Sequence, residues 1–394
     1  MRQAFGVVWI APNNILSVGN NMKQVVISGT GLYTPSQSIS NDELVGAFNA
    51  FVSDYNESNK SQIEAGTLEP LAESSSAFID KASGIKSRYV VDKTGILDPK
   101  RMTPYIPERP NDEPSIQCEM AVSAAKEALT QAGKTAADVD MVIVACSNLQ
   151  RAYPAVAVEV QTALGINGFA YDMNVACSSA TFGIQSAVNA IQSGSAGCVL
   201  MVNPEICTAH LNFRDRDSHF IFGDACTAVV LEDATQATSE NQFKVLNTKL
   251  QTIFSNNIRN NAGFLNRCDE SGLGKMDKLF VQNGRKVFKE VCPMVAAHIN
   301  AQLDELEIPA DNLTRLWLHQ ANLSMNGLIS KRVLGREASL EESPVILDRY
   351  ANTSSAGSII AFHLHKDDFQ AGQLGVICSF GAGYSIGSVV IEKC

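Results

Sequence analysis

The hydrophobic pattern of this chain switches repeatedly between continuous apolar runs and runs of helical period. Residues 141–145, 198–203 and 225–231 are almost unbroken apolar stretches, as expected of strands buried on both faces. Residues 24–31 read as a further buried strand. Between these runs, 116–132 and 154–164 carry helical spacing. In 171–194 a short extended run breaks at Ala176-Cys177-Ser178-Ser179. Beyond the break Ala180, Ile184, Ala187, Val188 and Ile191 share one helical face, and Gly194 supplies a stop. Ser40-Asn41-Asp42-Glu43 offers capping side chains to a helix, and the polar, helical segment it opens is expected to run from 43 to about 73. Ser74-Ser75-Ser76 breaks it ahead of a second helix at 78–83. Residues 92–115, rich in proline and charge, predict a surface excursion. Strands alternating with helices of this length predict parallel sheets joined by βαβ crossovers.

The pattern then repeats. MVIVACSNL at 141–149 is echoed by RLWLHQANL at 315–323, each an apolar strand with a polar tip followed by Asn-Leu. Ala176-Cys177-Ser178-Ser179-Ala180 is echoed by Ala351-Asn352-Thr353-Ser354-Ser355-Ala356. Phe222-Gly223 with Val229-Val230-Leu231-Glu232 is echoed by Phe380-Gly381 with Val389-Val390-Ile391-Glu392. Three echoes in one order, at an offset of roughly 160–175 residues, are too widely spaced for a solenoid. They predict two duplicated α/β halves, 22–235 and 236–394, preceded by a loosely held extension at 1–21. That extension contains an apolar stretch, but a short one broken by Pro12, and it lacks the form of a secretory leader.

Composition narrows the function. Hydrophobic residues make up 45% and charged residues 18%, which describes a folded rather than a disordered chain. A net charge of −10 argues against nucleic acid as a partner while leaving room for a local basic patch. Ten cysteines, none at CxxC spacing, suggest neither a zinc ribbon nor a disulfide framework. Cys207/His210 and His363/His365 lack companions at ligand spacing, so no metal is expected. There is no P-loop, no dinucleotide fingerprint and no run long enough to span a bilayer, so the expectation is a cytoplasmic protein without a bound cofactor.

The duplication makes a constellation legible. A pseudo-twofold brings the strand ends carrying His319 and Asn352 beside Cys177, in the crevice at the carboxyl ends of parallel strands. Cys177 lies where a strand hands over to a helix, a place where free N–H groups and the helix dipole lower a thiol pKa. Each residue also has a plainer reading. Cys177 alone could be a buried apolar residue, His319 a satisfied core histidine, Asn352 a helix cap, and the glycine-rich 380–387 a tight strand connection.

Together, the Cys177 elbow, HQAN at 319–322, NTSSAG at 352–357 and FGAGYSIG at 380–387 resemble the β-ketoacyl-acyl-carrier-protein synthase III family, within the thiolase superfamily. The resemblance covers residues 22–394. It implies a five-layer αβαβα sandwich of two duplicated halves and a homodimer. The implied reaction is a decarboxylating condensation of an acyl-CoA primer with malonyl-acyl carrier protein. In that reading Cys177 holds the acyl group, and His319 and Asn352 stabilise the enolate left when malonyl loses CO₂. The backbone N–H groups of Cys177 and Ala382 form the second oxyanion site, and Ala382 stands where relatives often have glycine. Arg216 is expected near the CoA entrance, and Lys289, Lys331 and Arg332 on the surface that meets the acidic carrier. Three positions depart from the familiar pattern. Phe78 replaces a tryptophan that stacks on adenine, Ala82 replaces a CoA-contacting arginine, and Tyr153 replaces a phenylalanine that reaches the acyl pocket across the dimer. The long excursions at 43–76 and 92–115 resemble a branch primed by medium-chain acyl-CoA, of about eight carbons. Competing readings are a relative that condenses onto malonyl-CoA or a second acyl-CoA, as chalcone synthase-like and long-chain ketone-forming enzymes do, a Cys-His-Asn thioester hydrolase, and a catalytically silent scaffold.

Overall fold

β-branched and small apolar residues form the first strand, β1 (Val25–Tyr33). The molecule is described by a computed structural model covering residues 23–261 and 279–394, so the extension at 1–21 lies outside the described residues. After β1, the short antiparallel pair β2 (Gln37–Ser40) and β3 (Ser87–Val90) brackets α1 (Asn41–Ser58), α2 (Lys60–Glu64) and α3 (Ser76–Ser83). The first half continues through α4 (Thr94–Leu97), α5 (Ile116–Ala132), β4 (Met141–Ala145), α6 (Val156–Leu164) and β5 (Phe169–Met173). It closes with α7 (Ser179–Ser193), β6 (Cys198–Ile206) and β7 (Asp224–Asp233). The second half holds β8 (Phe243–Ser255), the short pair β9 (Ile258–Asn260) and β10 (Phe280–Gln282), then α8 (Gly284–Glu305), β11 (Leu313–Leu318) and α9 (Leu323–Leu334). It ends with α10 (Leu347–Tyr350), α11 (Ala356–Leu364), β12 (Leu374–Gly381) and β13 (Gly383–Lys393).

The long strands form one sheet in the order β11-β12-β13-β8-β1-β7-β6-β4-β5. Outward from the β8–β1 seam, each half repeats a single scheme. β1 pairs antiparallel with β7, β7 antiparallel with β6, and β6 parallel with β4. β8 pairs antiparallel with β13, β13 antiparallel with β12, and β12 parallel with β11. The first half adds β5. At the matching place in the second half, β11 has among the described residues one backbone bond, Leu316 N–H to the Glu342 carbonyl (2.8 Å), and no ladder. The sheet is thus mixed rather than purely parallel. The link from β6 to β7 contains no long crossover helix, so the chain returns antiparallel.

The seam itself is narrow, with only Val26 opposite Lys244 and Ile27 opposite Phe243. On either side of it the sheet forms two layers around a shared filling. α7 packs on β4 and β6 of its own half and on β12 and β13 of the other, while α11 packs on β11, β12, β1 and β7. Ala180, Ile184, Ala187, Val188 and Ile191 of α7 are all buried in this middle layer with Ile359, Ile360 and Phe362 of α11. Truncating one of these isoleucines to alanine costs about 2–5 kcal/mol by cavity formation. α5 and α6 cover the outer face of one sheet layer, and α8 and α9 the outer face of the other. The result is the five-layer αβαβα arrangement. Gly194 ends α7 in the left-handed conformation (φ 78°), as its place in the sequence predicts.

The 43–76 region is less helical than its polarity suggests. Ser40 and Glu43 form a capping box for α1, but that helix ends at Ser58. The chain then turns back along α1, where Asn49 exchanges two hydrogen bonds with the backbone of Ser74, and Asn56 two with that of Leu71. Side-chain amides on the helix capture a returning extended segment. The result is a cap, built with α3 and β3, over Phe213, Phe220 and Phe222.

Candidate active site

Two sharp elbows and one strand end meet beneath this cap. At the first elbow, β5 stops and Asn174 Oδ1 accepts the Ala176 N–H (2.9 Å). Ala176 is held in the left-handed region (φ 47°), which is costly for a residue with a Cβ. Ser179 secures the turn from the other side, accepting the Val175 N–H (2.8 Å) and donating to the Ala176 carbonyl (2.7 Å). Cys177, half-buried, is thereby aimed into a cavity of about 650 Å³.

The second elbow repeats the device. Ala351 adopts φ 55° just ahead of Asn352, and Ser354 adopts φ 50° just after it. Asn352 pairs through its backbone with the loop before β7: its N–H donates to the Ile221 carbonyl (3.0 Å), and its carbonyl accepts the Gly223 N–H (3.1 Å). Its side-chain oxygen accepts the Ser354 N–H (2.9 Å). Among the described residues the Asn352 Nδ2 donor makes no hydrogen bond, and Asn352 lines the cavity.

His319 completes the group at the end of β11, where its N–H donates to the Cys378 carbonyl (2.8 Å) and its ring meets Phe380 edge-on (5.2 Å). Burial drives the imidazole pKa down to about 4, with the Ser354 carbonyl pulling weakly the other way. The ring is therefore neutral at pH 7 and presents one N–H as a donor. Cys177, His319 and Asn352 line the same cavity, as the sequence predicts.

The sulfur is tightly surrounded. A Cβ on Gly381 would stand 2.6 Å from the Cys177 Cβ and 2.9 Å from Sγ, so only glycine fits there. Burial pushes the thiol up to about 11. The Ser354 hydroxyl and the N–H groups of Ala382 and Cys177 oppose the shift, and the Glu205 carboxylate adds to it. The Ser354 hydroxyl lies against the sulfur without ordinary hydrogen-bond geometry. The lowered pKa expected of a helix mouth is thus reversed, because α7 begins two residues later and desolvation outweighs its dipole.

The remaining candidates divide. Phe78 and Ala82 line the cavity mouth. Arg216 does not line it, but its guanidinium stacks on the Phe78 ring at 4.3 Å while Nε donates to the Glu73 carbonyl (2.7 Å). Tyr153 is 87% exposed and lies off this cavity. Lys289 on α8 and Arg332 on α9 are exposed on two helices that pack together, whereas Lys331 is engaged with Glu337 (2.5 Å). Sequence reasoning missed Phe220, Phe222, Phe280 and Phe288, which give the cavity its apolar wall, and Arg285 at its rim. It also passed over Glu205, although a single carboxylate inside the apolar run of β6 was a signal.

Comparison with known proteins accords with this geometry. Residues 171–253 match the family described as 3-oxoacyl-[acyl-carrier-protein (ACP)] synthase III, and residues 303–393 match the C-terminal part of that family. The chain is 69% identical over 347 residues to the β-ketodecanoyl-[acyl-carrier-protein] synthase of Pseudomonas aeruginosa, covering 88% of this chain and 99% of that protein. It is 29% identical over 375 residues to the β-ketoacyl-[acyl-carrier-protein] synthase III of Granulibacter bethesdensis, covering 94% and 100%. Among solved structures, the priming β-ketosynthase from the R1128 polyketide biosynthetic pathway shares the fold, with a TM-score of 0.74 and 21% identity over 94% of this chain and 96% of that one. Similarity of this extent, running through both halves, makes the chain a member of the 3-oxoacyl-[acyl-carrier-protein] synthase III family, an acyltransferase of the thiolase fold.

Proposed function

We propose that this enzyme transfers an acyl group from an acyl-CoA primer to Cys177 and condenses it with malonyl-acyl carrier protein, releasing CO₂ and giving β-ketoacyl-acyl carrier protein for fatty acid synthesis in the cytoplasm. One observation carries the reading: a thiol, a neutral imidazole and an uncommitted carboxamide donor converge on one apolar cavity. The Cys177 sulfur adds to the primer thioester, the S–C bond to CoA breaks, CoA leaves as a thiol with the proton that Cys177 gave up, and the acyl group stays on Cys177. In this reading the N–H groups of Cys177 and Ala382, which face the sulfur, receive the oxyanion formed on the way. In the second step the malonyl C–C bond to the carboxylate breaks, and its electron pair moves onto the thioester. His319 and the Asn352 amide donate to that developing enolate oxygen and stabilise the transition state more than the ground state. The enolate carbon then attacks the acyl carbonyl, and Cys177 leaves as thiolate and takes up a proton from water.

The primer reading is of medium length. The Pseudomonas relative is named for a ten-carbon product, and since decarboxylated malonyl supplies two carbons, its primer would have about eight. The exposed pair Lys289 and Arg332 suits an acidic carrier, and Arg216 with Phe78 marks the side on which CoA would enter. A homodimer is supported by β5, an edge strand whose Phe169 and Tyr171 are exposed at 46% and 38%. Such pairing would turn Tyr153 towards the second subunit. We place the division between the halves after residue 235.

Intact-protein mass spectrometry after incubation with a series of acyl-CoAs tests the first step. Octanoyl transfer faster than acetyl transfer, lost in Cys177→Ser, is expected; faster acetyl transfer would remove the medium-chain assignment. Offering malonyl-acyl carrier protein and malonyl-CoA separately to the acylated enzyme tests the second. Product from malonyl-CoA alone at equal rate would favour the carrier-independent relatives, and free acid without a malonyl donor would favour a hydrolase.

A further inference from the structure

Below the two elbows, near the C-terminal end of β6, Glu205 is fully buried, with no cationic partner among the described residues. A buried carboxylate without a counter-ion is expensive unless donors surround it. Here the donors come from both halves of the molecule. Oε1 accepts the backbone N–H of Ser147 (3.0 Å), the backbone N–H of Ser355 (3.2 Å) and the Ser355 hydroxyl; Oε2 accepts the Ser147 hydroxyl, with the Cys207 thiol at 3.7 Å. The Ser355 hydroxyl also lies 3.2 Å from the Ala145 carbonyl, which accepts the Asn203 amide as well (2.6 Å).

Each serine leads to an elbow. The Ser147 carbonyl accepts from Asn174 Nδ2 (2.8 Å), and Asn174 Oδ1 holds the Ala176 N–H one residue before the nucleophile. Ser355 is the residue before α11, three positions after Asn352 and next to Ser354, whose own N–H is bound by the Asn352 side chain. One carboxylate therefore sits at the junction of two short paths, one of hydrogen bonds ending at Ala176 beside the thiol, the other running through the adjoining Ser355 and Ser354 to the carboxamide.

We propose that Glu205 is a positioning residue that sets the separation of Cys177 and Asn352, so that the enolate generated at one elbow lies within reach of the acyl group held at the other. This rests on the condensation reading above. The device is geometric, and its chemistry distinguishes isosteres. A glutamine in place of Glu205 keeps an oxygen for the two obligate backbone donors, and its NH₂ can donate to the Ser147 hydroxyl, which turns to accept. An aspartate there retains the charge but falls one methylene short.

The test measures the half-reactions separately, as acylation of Cys177 by octanoyl-CoA and as decarboxylation of malonyl-acyl carrier protein, in Glu205→Gln, Glu205→Asp, Ser147→Ala and Ser355→Ala. Glu205→Gln should stay within about threefold of the parent in both half-reactions and in overall condensation. Glu205→Asp should lose about tenfold or more in condensation, since a displacement well under the length of a bond is enough. Ser147→Ala should slow mainly acylation, and Ser355→Ala mainly decarboxylation. If Glu205→Asp and both serine variants lower only the melting temperature and leave the half-reactions intact, Glu205 is a structural residue and the proposal fails. Impairment of Glu205→Gln equal to or greater than that of Glu205→Asp also overturns it, because reach alone would then not explain the loss. A parent enzyme lacking both half-reactions would overturn the function reading instead.

Discussion

The elbows at Cys177 and Asn352 share a strained alanine and differ in what holds them. Each places an alanine at positive φ directly before the functional residue, and each runs on into a helix of the middle layer. The Cys177 elbow is held mainly by Asn174 and Ser179 of its own half. The other half reaches it through side chains: the Ser178 hydroxyl donates to the Ser385 carbonyl (3.1 Å), and the Ser385 hydroxyl donates to that of Ser178 (2.9 Å). The Asn352 elbow is tied across the pseudo-twofold, by the Ile221 and Gly223 backbone. Duplication supplied a comparable elbow twice, and the hydrogen bonds that hold each one differ. In the proposed reaction the nucleophile would rest largely on a local turn, while the enolate donor would be fixed by backbone bonds to the cavity wall.

Substitutions at the two elbows should therefore separate the two steps. The largest effect is expected for Cys177→Ala, which should abolish acyl capture, with a loss of about 10⁴-fold or more in condensation. Malonyl decarboxylation should survive, because its donors sit elsewhere; simultaneous loss of both activities would deny that the elbows act separately. Next, Asn352→Ala should slow malonyl decarboxylation by roughly 10²–10³-fold, the usual cost of one oxyanion donor, with Cys177 acylation within about threefold of the parent. Gly381→Ala strikes the first elbow alone. Its new methyl collides with Cys177, so acylation should fall by about tenfold and stability by about 1–3 kcal/mol, read as a lower denaturation midpoint.

The thiol provides a pH test. Because burial raises its pKa to about 11, the thiolate fraction grows about tenfold per pH unit below that value. Iodoacetamide labelling of Cys177 should accordingly keep rising from about pH 7 to about pH 10, and a plateau near neutrality would mean that the helix mouth outweighs burial. The smallest effect concerns Ala351, buried at φ 55° and ψ −156°, a conformation that glycine adopts far more readily. Ala351→Gly should raise stability by about 1 kcal/mol in denaturant unfolding while sparing acylation.

Much of this architecture was legible because it rests on periodicity. The helical face of α7, its glycine stop and the chain order of Cys177, His319 and Asn352 can be read from spacing. The strand end expected for Asn352 is instead a turn after the short helix α10, because among the described residues the second half has no strand in the place of β5. Charge and desolvation were not legible. Nothing in the local sequence around Cys177 tells how much of the other half will close over it, yet that closure reverses the direction of its pKa shift. Arg216 illustrates a second limit. The resemblance implied a place for it near a CoA entrance, whereas its anchoring to Glu73 depends on how the 43–76 segment folds back, which side-chain amides on α1 decide. Nor does a sequence echo reveal that β6 returns antiparallel into β7, since strand direction depends on the connection rather than on the strand.

The shared middle layer also bears on how the molecule comes apart. Because α7 leans on strands from both halves, a chain severed between β7 and β8 would leave each fragment with an oily helix bare on one side. Separately expressed fragments should be insoluble alone and should regain a thiol-reactive, soluble particle only when made together, so this duplicated protein can be expected to melt in a single step.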